Sequence, residues 1–275
     1  MKDFSAKQVE PGKKGAARMT RSEFTQRACL AGMDTKLCMA EFNGNVLRPY
    51  RVFVPSSYQY APASPGQEAP KFPLVLMLHG GGTSEHPCDE NWYFANKESP
   101  DRVQTIAEER GYIVACPALP FVNLSHDDPD ARMRNVKKIS EDGVAFVEAV
   151  IKDVTYYHHI DENRIYLTGA SRGGLGLYAA AAANPDKYAA IAAVCTAAAP
   201  EWLDQIAKVP TLILSALEDT IFPIERIRKL KRDLADRGCD VKMEEFPGGH
   251  DGLRNMKAYA MIFDWFDAHR REPAS

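Results

Sequence analysis

Residues 73–82 read PLVLMLHGGG: an unbroken apolar run from Pro73 to Leu78, then a cluster of glycines. A strand with one face in water alternates polar and apolar residues, so a strand without alternation must be covered on both faces. The middle of a mostly parallel sheet flanked by helices meets that condition. The chain downstream agrees. "DRVQTIAEERG" is an amphipathic helix stopped by Gly111, and "YIVACPAL" is a second buried strand. "EDGVAFVEAVIKDVTYYH" is a long helix with apolar residues at 144, 147, 150, 151 and 154. "RIYLTG", the helix "GGLGLYAAAAANP", "YAAIAAVCTAA", "PTLILSAL", the helix "PIERIRKLKRDLADRG", "VKMEEFPGG" and a helix from about Arg254 to His269 complete the series. This alternation predicts an α/β fold with a mostly parallel sheet and helices on both faces. In such sheets ligands bind beyond the carboxyl ends of the strands, so chemistry is sought just after each one.

Upstream, "KLCMAEFNGNVLRPYRVFVP" reads as two strands around an Asn43-Gly44 turn, and "SSYQYAPASPGQEAPKF" as a surface loop. Residues 1–36 form a polar extension with a short helix expected over 20–32, residues 37–270 the folded domain, and residues 271–275 a tail. The chain carries 45% hydrophobic and 26% charged residues with net charge −3, which points to no nucleic-acid or membrane partner. The N-terminus has no apolar stretch of signal-peptide length and no run long enough to span a bilayer, so the expected address is cytoplasmic. Secretion would require a leader removed beforehand. Cys29, Cys38, Cys88, Cys116, Cys195 and Cys239 form no C-x-x-C pair and no zinc-site spacing. Cys116 and Cys195 sit in apolar runs and read as buried thiols, and a Cys29–Cys38 bridge is conceivable only in an exported protein.

The stretch RIYLTGASRGGLG, residues 164–176, crowds glycines behind a strand. A phosphate-binding loop fits the spacing of Gly169 to Gly174, but no Lys-Ser/Thr follows. Gly174 to Ala179 matches the letters G-x-G-x-x-A of a dinucleotide site. Those glycines fall inside the helix instead of at the turn, and no acidic residue ends the next strand to hold a ribose. Gly169-Ala170-Ser171-Arg172-Gly173 matches a G-x-S-x-G nucleophile elbow in the strand–turn–helix setting the motif needs. Small residues flank the serine because any Cβ there would meet neighbouring backbone. The helix start behind Ser171 points backbone N–H groups at the position where negative charge develops.

An oxyanion hole needs a second donor, and His79-Gly80-Gly81-Gly82 matches the HGGG-type loop of esterases. Gly81, with Gly82 as the alternative, and the N–H of Arg172 are the candidate donors, while His79 braces the loop. The base and its orienting acid should follow the serine in the order Asp/Glu then His. Asp219, with Glu218 as reserve, follows the strand "TLILSAL". His250 lies in the Gly-rich loop before the last helix. His126, His158 and His159 precede the serine, and His269 lies in the terminal helix.

With Ser171, Asp219 and His250 in type, order and position, the chain resembles the α/β-hydrolase superfamily over roughly Leu37 to His269. "YRVFVPSSY", "PLVLMLHGGG", "IDENRIYLTGASRGGLG" and "NPDKYAAIAAVC" are most similar to the esterase branch of polyhydroxybutyrate-depolymerase-like and feruloyl-esterase-like enzymes and predicted peptidases. The resemblance implies an eight-stranded sheet beginning with the antiparallel hairpin, and a hydrolase with no metal and no cofactor. By motif, Ser171 is its nucleophile, His250 the base, Asp219 the orienter, and Gly81 with Arg172 the oxyanion donors. Two departures stand out. Arg172 occupies a position where the branch often has Met or Gln; its side chain would favour an acidic substrate group or pair with a nearby acid. Only Thr196 to Val209 separate two strands where relatives insert a lid, so an open cleft is expected. Residues 83–96 and the loop "PFVNLSHDDPDARMRNVKK" would wall it, with Trp92, Phe121 and Arg134 as candidate substrate contacts. The expected reaction is hydrolysis of a carboxylic ester through an acyl-enzyme. The alternatives are a serine peptidase of the oligopeptidase type and a non-catalytic binding protein on the same fold.

Overall fold

The computed structural model describes residues 36–44, 46–58, 69–80, 103–119, 129–250 and 258–272, with the backbone alone over 36–37 and 129–140. Strands β1 (Lys36–Phe42) and β2 (Val46–Phe53) pair antiparallel, Phe42 opposite Val46. Asn43 and Gly44 turn the chain between them with φ 48° and 64°. Asn and Gly adopt this left-handed backbone most readily, which is why the dipeptide marks the hairpin.

Beyond the hairpin come β3 (Phe72–Leu78), β4 (Ile113–Pro117), β5 (Ile160–Ala170), β6 (Ala190–Val194), β7 (Thr211–Ala216) and β8 (Val241–Phe246). The sheet has eight strands in the order β1-β2-β4-β3-β5-β6-β7-β8. β2 joins β4 antiparallel, and β3 to β8 are parallel. This is the α/β-hydrolase architecture expected from the sequence.

The apolar run of β3 explains the layering. Leu74, Leu76 and Leu78 face one core, and Val75 and Met77 face the other, all fully buried. The first core is closed by α2 (Pro129–Tyr157), α3 (Arg172–Ala183), α4 (Leu203–Ile206) and α5 (Ile224–Ala235). The second is closed by α1 (Val103–Arg110) and α6 (Ala258–Asp267). Each such side chain taken from water contributes about 1.5–3 kcal/mol, so the sheet is held between two dry layers.

One expectation needs correction. The segment carrying Arg134 is not all loop, because α2 starts at Pro129. Proline is favoured at a helix's first position, where its missing N–H costs nothing. The charged residues that follow lack the apolar period by which a helix is read from sequence. The other helices match their expected ranges apart from the four-residue α4, for which no helix was expected, although residues 254–257 before α6 and the expected helix over 20–32 lie outside the described residues. No helix among the described residues is long and apolar enough to cross a membrane.

The chain crosses from β3 to β4 on one side and later to β5 on the other. The carboxyl ends of β3 and β5 therefore flank the point where the winding reverses, the place where open α/β sheets bind ligands. His79 follows β3 there, and Ser171 follows β5.

Candidate active site

Ser171 links β5 to α3 with φ 53° and ψ −117°. A non-glycine residue in this region carries strain of about 1–3 kcal/mol and persists only where its surroundings over-determine it. Its N–H donates to Val194 O at 2.9 Å, while its carbonyl accepts from Gly174 N–H at 3.0 Å and Leu175 N–H at 3.2 Å. The neighbouring glycines are sterically required. A Cβ on Gly173 would lie 2.1 Å from Leu78 O and 2.5 Å from His79 O, and one on Gly174 would lie 2.2 Å from Thr196 Cγ2. Gly174, the first letter of the apparent dinucleotide fingerprint, is thus a close-packing residue of α3.

His250 approaches Ser171 from the β8–α6 connection, with Nε2 2.9 Å from Ser171 Oγ. Its Nδ1 lies 2.7 Å from Asp219 Oδ2. An ionised carboxylate only accepts hydrogen bonds, so Nδ1 carries the proton and donates to Asp219. Nε2 is then left as the acceptor for the Ser171 hydroxyl. Asp219 is itself fixed: its Oδ1 accepts from Ile221 N–H at 2.8 Å and Phe222 N–H at 2.9 Å. Its side chain is wholly buried, whereas that of His250 is 18% exposed, which leaves the imidazole reachable from outside. Glu218 is exposed and contributes only its backbone, donating to Gly248 O at 3.0 Å and tying the acid loop to the histidine loop.

The structure brings together Ser171, Asp219 and His250, the side chains singled out in the sequence. Arg172 opens α3 directly behind Ser171, with its side chain buried. Gly81, Gly82, Trp92 and Phe121 lie outside the described residues. Arg134 falls in the second turn of α2, at the end of that helix remote from the start of β5. His79 braces the β3 loop: Leu119 N–H donates to its Nε2 at 3.0 Å, so Nδ1 carries the proton and donates to Gly80 O at 2.8 Å. Between β6 and β7 the chain makes only a turn over Pro200–Trp202 and the four-residue α4, with no helical lid inserted there.

Sequence reasoning missed two neighbours of the triad. The Phe222 ring lies nearly parallel to the His250 ring, centroids 5.8 Å apart, and limits how the imidazole can tilt. Its place three residues after the acid was the available signal. Cys195 has its Sγ within 4.8 Å of an Asp219 oxygen and a His250 nitrogen, a set able to hold a metal ion. Its apolar run gave no sign of that. Cys38, Cys116, Cys195 and Cys239 are thiols, and Cys29 lies outside the described residues.

The family model described as "Dienelactone hydrolase family" matches residues 90–265. "Cutinase 2" of Thermobifida cellulosilytica is 31% identical over 156 residues, covering 53% of this chain and 55% of that protein. The chain spans about half the length of the curated relatives it matches. A solved "Thermostable Esterase" superposes with TM-score 0.62 at 23% identity, covering 86% of this chain and 64% of that one. Pyrococcus horikoshii acylaminoacyl peptidase gives TM-score 0.62 at 15% identity, covering 88% and 43%. These likenesses establish the fold.

Proposed function

The chain belongs to the dienelactone hydrolase family, and from that premise we propose that it is a serine hydrolase of carboxylic esters. The observation that carries the reading is the continuous hydrogen-bonded series Asp219–His250–Ser171, at 2.7 Å and 2.9 Å, with its serine on a strained turn.

His250 Nε2 takes the Ser171 proton as Oγ attacks the ester carbonyl, and the tetrahedral intermediate collapses to an acyl-enzyme with loss of the alcohol. His250, now protonated at both nitrogens, gives its new proton to the departing alkoxide. It then activates water to release the acid. Asp219 holds the ring in the tautomer that keeps Nε2 basic. The N–H of Arg172, among the outward-pointing amides of the first turn of α3, and Gly81 or Gly82 donate to the oxyanion. One such donor is worth about 2.7–4 kcal/mol of barrier. The folded domain is assigned to residues 37–270, flanked by the extension and the short tail. Trp92, Phe121 and Arg134 remain the proposed substrate contacts.

Similarity to proteins named as cutinases favours an ester over an amide. The test is a fluorophosphonate probe with mass-spectrometric site mapping, followed by kcat/KM on p-nitrophenyl acetate and on an aminoacyl-anilide. Labelling at Ser171 and faster ester turnover are expected; an unlabelled Ser171 in folded protein rejects the triad, and faster anilide turnover makes the protein a peptidase.

Asp219→Asn is expected to lower kcat by about four orders of magnitude, as the same change does in other Ser-His-Asp triads by fixing the wrong tautomer. Steady-state kinetics check it. An undiminished rate would remove Asp219 from the mechanism.

A further inference from the structure

Cys195 ends an apolar run and is 3% exposed, as a core thiol would be, but its backbone is not that of a core residue. Its φ is 45°, in the left-handed region that few non-glycine residues enter. Cys195 N–H donates to Leu214 O at 2.8 Å, and one residue earlier Val194 O receives the Ser171 N–H. The strained residue is thus clamped between β5 and β7, beneath the triad. Sγ of Cys195, a carboxylate oxygen of Asp219 and a ring nitrogen of His250 all lie within 4.8 Å of one another.

A thiol, an imidazole and a carboxylate are the donors that zinc-like, borderline-soft ions take. With bonds of about 2.0–2.3 Å, tetrahedral ligand atoms sit roughly 3.3–3.8 Å apart. The 4.8 Å that bounds all three separations exceeds those edges by only about 1–1.5 Å, and His250 Nδ1 and Asp219 Oδ2, now 2.7 Å apart, would part slightly if both became ligands. We propose that Cys195, Asp219 and His250 form an inhibitory site for a thiophilic divalent cation such as Zn²⁺ or Cd²⁺. The inhibition, though not the binding, rests on the triad reading above. The ion enters on the side of His250, the most exposed of the three. A metal–sulfur bond forms, the thiol proton goes to solvent, and no oxidation state changes. Either mode of histidine ligation stops turnover. A metal on Nε2 occupies the lone pair that must accept the Ser171 proton; a metal on Nδ1 takes the place of the proton donated to Asp219, and that proton moves to Nε2, which then has no lone pair for the Ser171 hydroxyl.

The experiment uses the full chain, with CdCl2 and ZnCl2 as probes. Hydrolysis of p-nitrophenyl acetate is titrated with each salt and then with EDTA, every variant being normalised to its own metal-free rate. Cadmium binding is read separately from the ultraviolet cadmium–thiolate band. The wild type is expected to lose activity reversibly. Loss of even an outer-shell partner weakens metal binding by about 10–100-fold, so Cys195→Ser should raise the half-inhibiting concentration at least about tenfold and abolish the band. His250→Ala, which leaves the strained turn untouched, should weaken cadmium binding by a similar factor, and Cys239→Ser should leave both readouts at wild-type values. Superimposable inhibition curves for Cys195→Ser and wild type overturn the proposal, as does a band that disappears in Cys239→Ser instead. A Cys195-dependent band with undiminished turnover overturns the inhibition. A Cys195-dependent band in a protein without esterase turnover overturns the triad reading and leaves the metal site standing.

Discussion

Ser171→Ala is expected to lower kcat on p-nitrophenyl esters by on the order of 10⁶, the scale seen when a nucleophilic serine is removed from a working triad. The loss is this large because the three side chains act as one unit. Without Oγ, His250 Nε2 has no hydroxyl to deprotonate at 2.9 Å, and its alignment by Asp219 does nothing for the rate. What remains is water attack assisted by the oxyanion donors and by substrate binding. KM should change little, since the hydroxyl's contribution is made mainly in the transition state. Stability should change little too. Alanine at φ 53° carries the same backbone strain as serine, and the hydrogen bond lost is worth about 1 kcal/mol. A thermal melt beside the steady-state assay separates the two effects. Less than a tenfold loss of kcat in folded protein would place the nucleophile elsewhere.

Gly173→Val is expected to cost the fold itself. The first added atom, Cβ, would sit 2.1 Å from Leu78 O and 2.5 Å from His79 O, and both are backbone atoms that no rotamer change can move. To make room, the end of β3 must leave β5, where Leu78 pairs with Gly169. The expected penalty is about 4 kcal/mol or more, in the exceptional range for one substitution. At roughly 2–4 °C per kcal/mol for a domain of this size, Tm should fall by about 8 °C or more, or no soluble protein is recovered. Gly176→Ala is the matched control. Its Cβ would meet Leu78 Cδ1 at 3.5 Å, an ordinary contact, and alanine in a helix interior is favoured over glycine by about 0.8–1 kcal/mol. It should be neutral or stabilising by scanning calorimetry. Equal tolerance of both substitutions would mean that Gly173 is not held against the β3 loop.

The parallel sheet was legible because β3 carries no polar alternation, and the hairpin because Asn43-Gly44 admits positive φ. The order Ser171, Asp219, His250 was legible because each residue stands just past a strand, where this topology gathers side chains into one crevice. Asp219 was preferred to Glu218 from the sequence, but the physical ground for that preference lies only in the fold. Adjacent residues point in different directions, and only the pairing with His250 Nδ1 at 2.7 Å separates them. The start of α2 at Pro129 was hidden because its first turns lack the apolar stripe that reveals a helix.

Local chemistry alone therefore determined where strands turn, which glycines must be bare and which residue types are competent for acyl transfer. Those properties depend on a residue and its near neighbours in sequence. Tertiary structure decided what lies beside the triad. Phe222 stacks on His250, and Cys195 sits beneath Asp219, because β6 and β7 are adjacent in space, not because their sequences call for one another. A cysteine in an apolar run has the same letters whether its sulfur faces a methyl group or a carboxylate, and only the packing of strands tells the two apart.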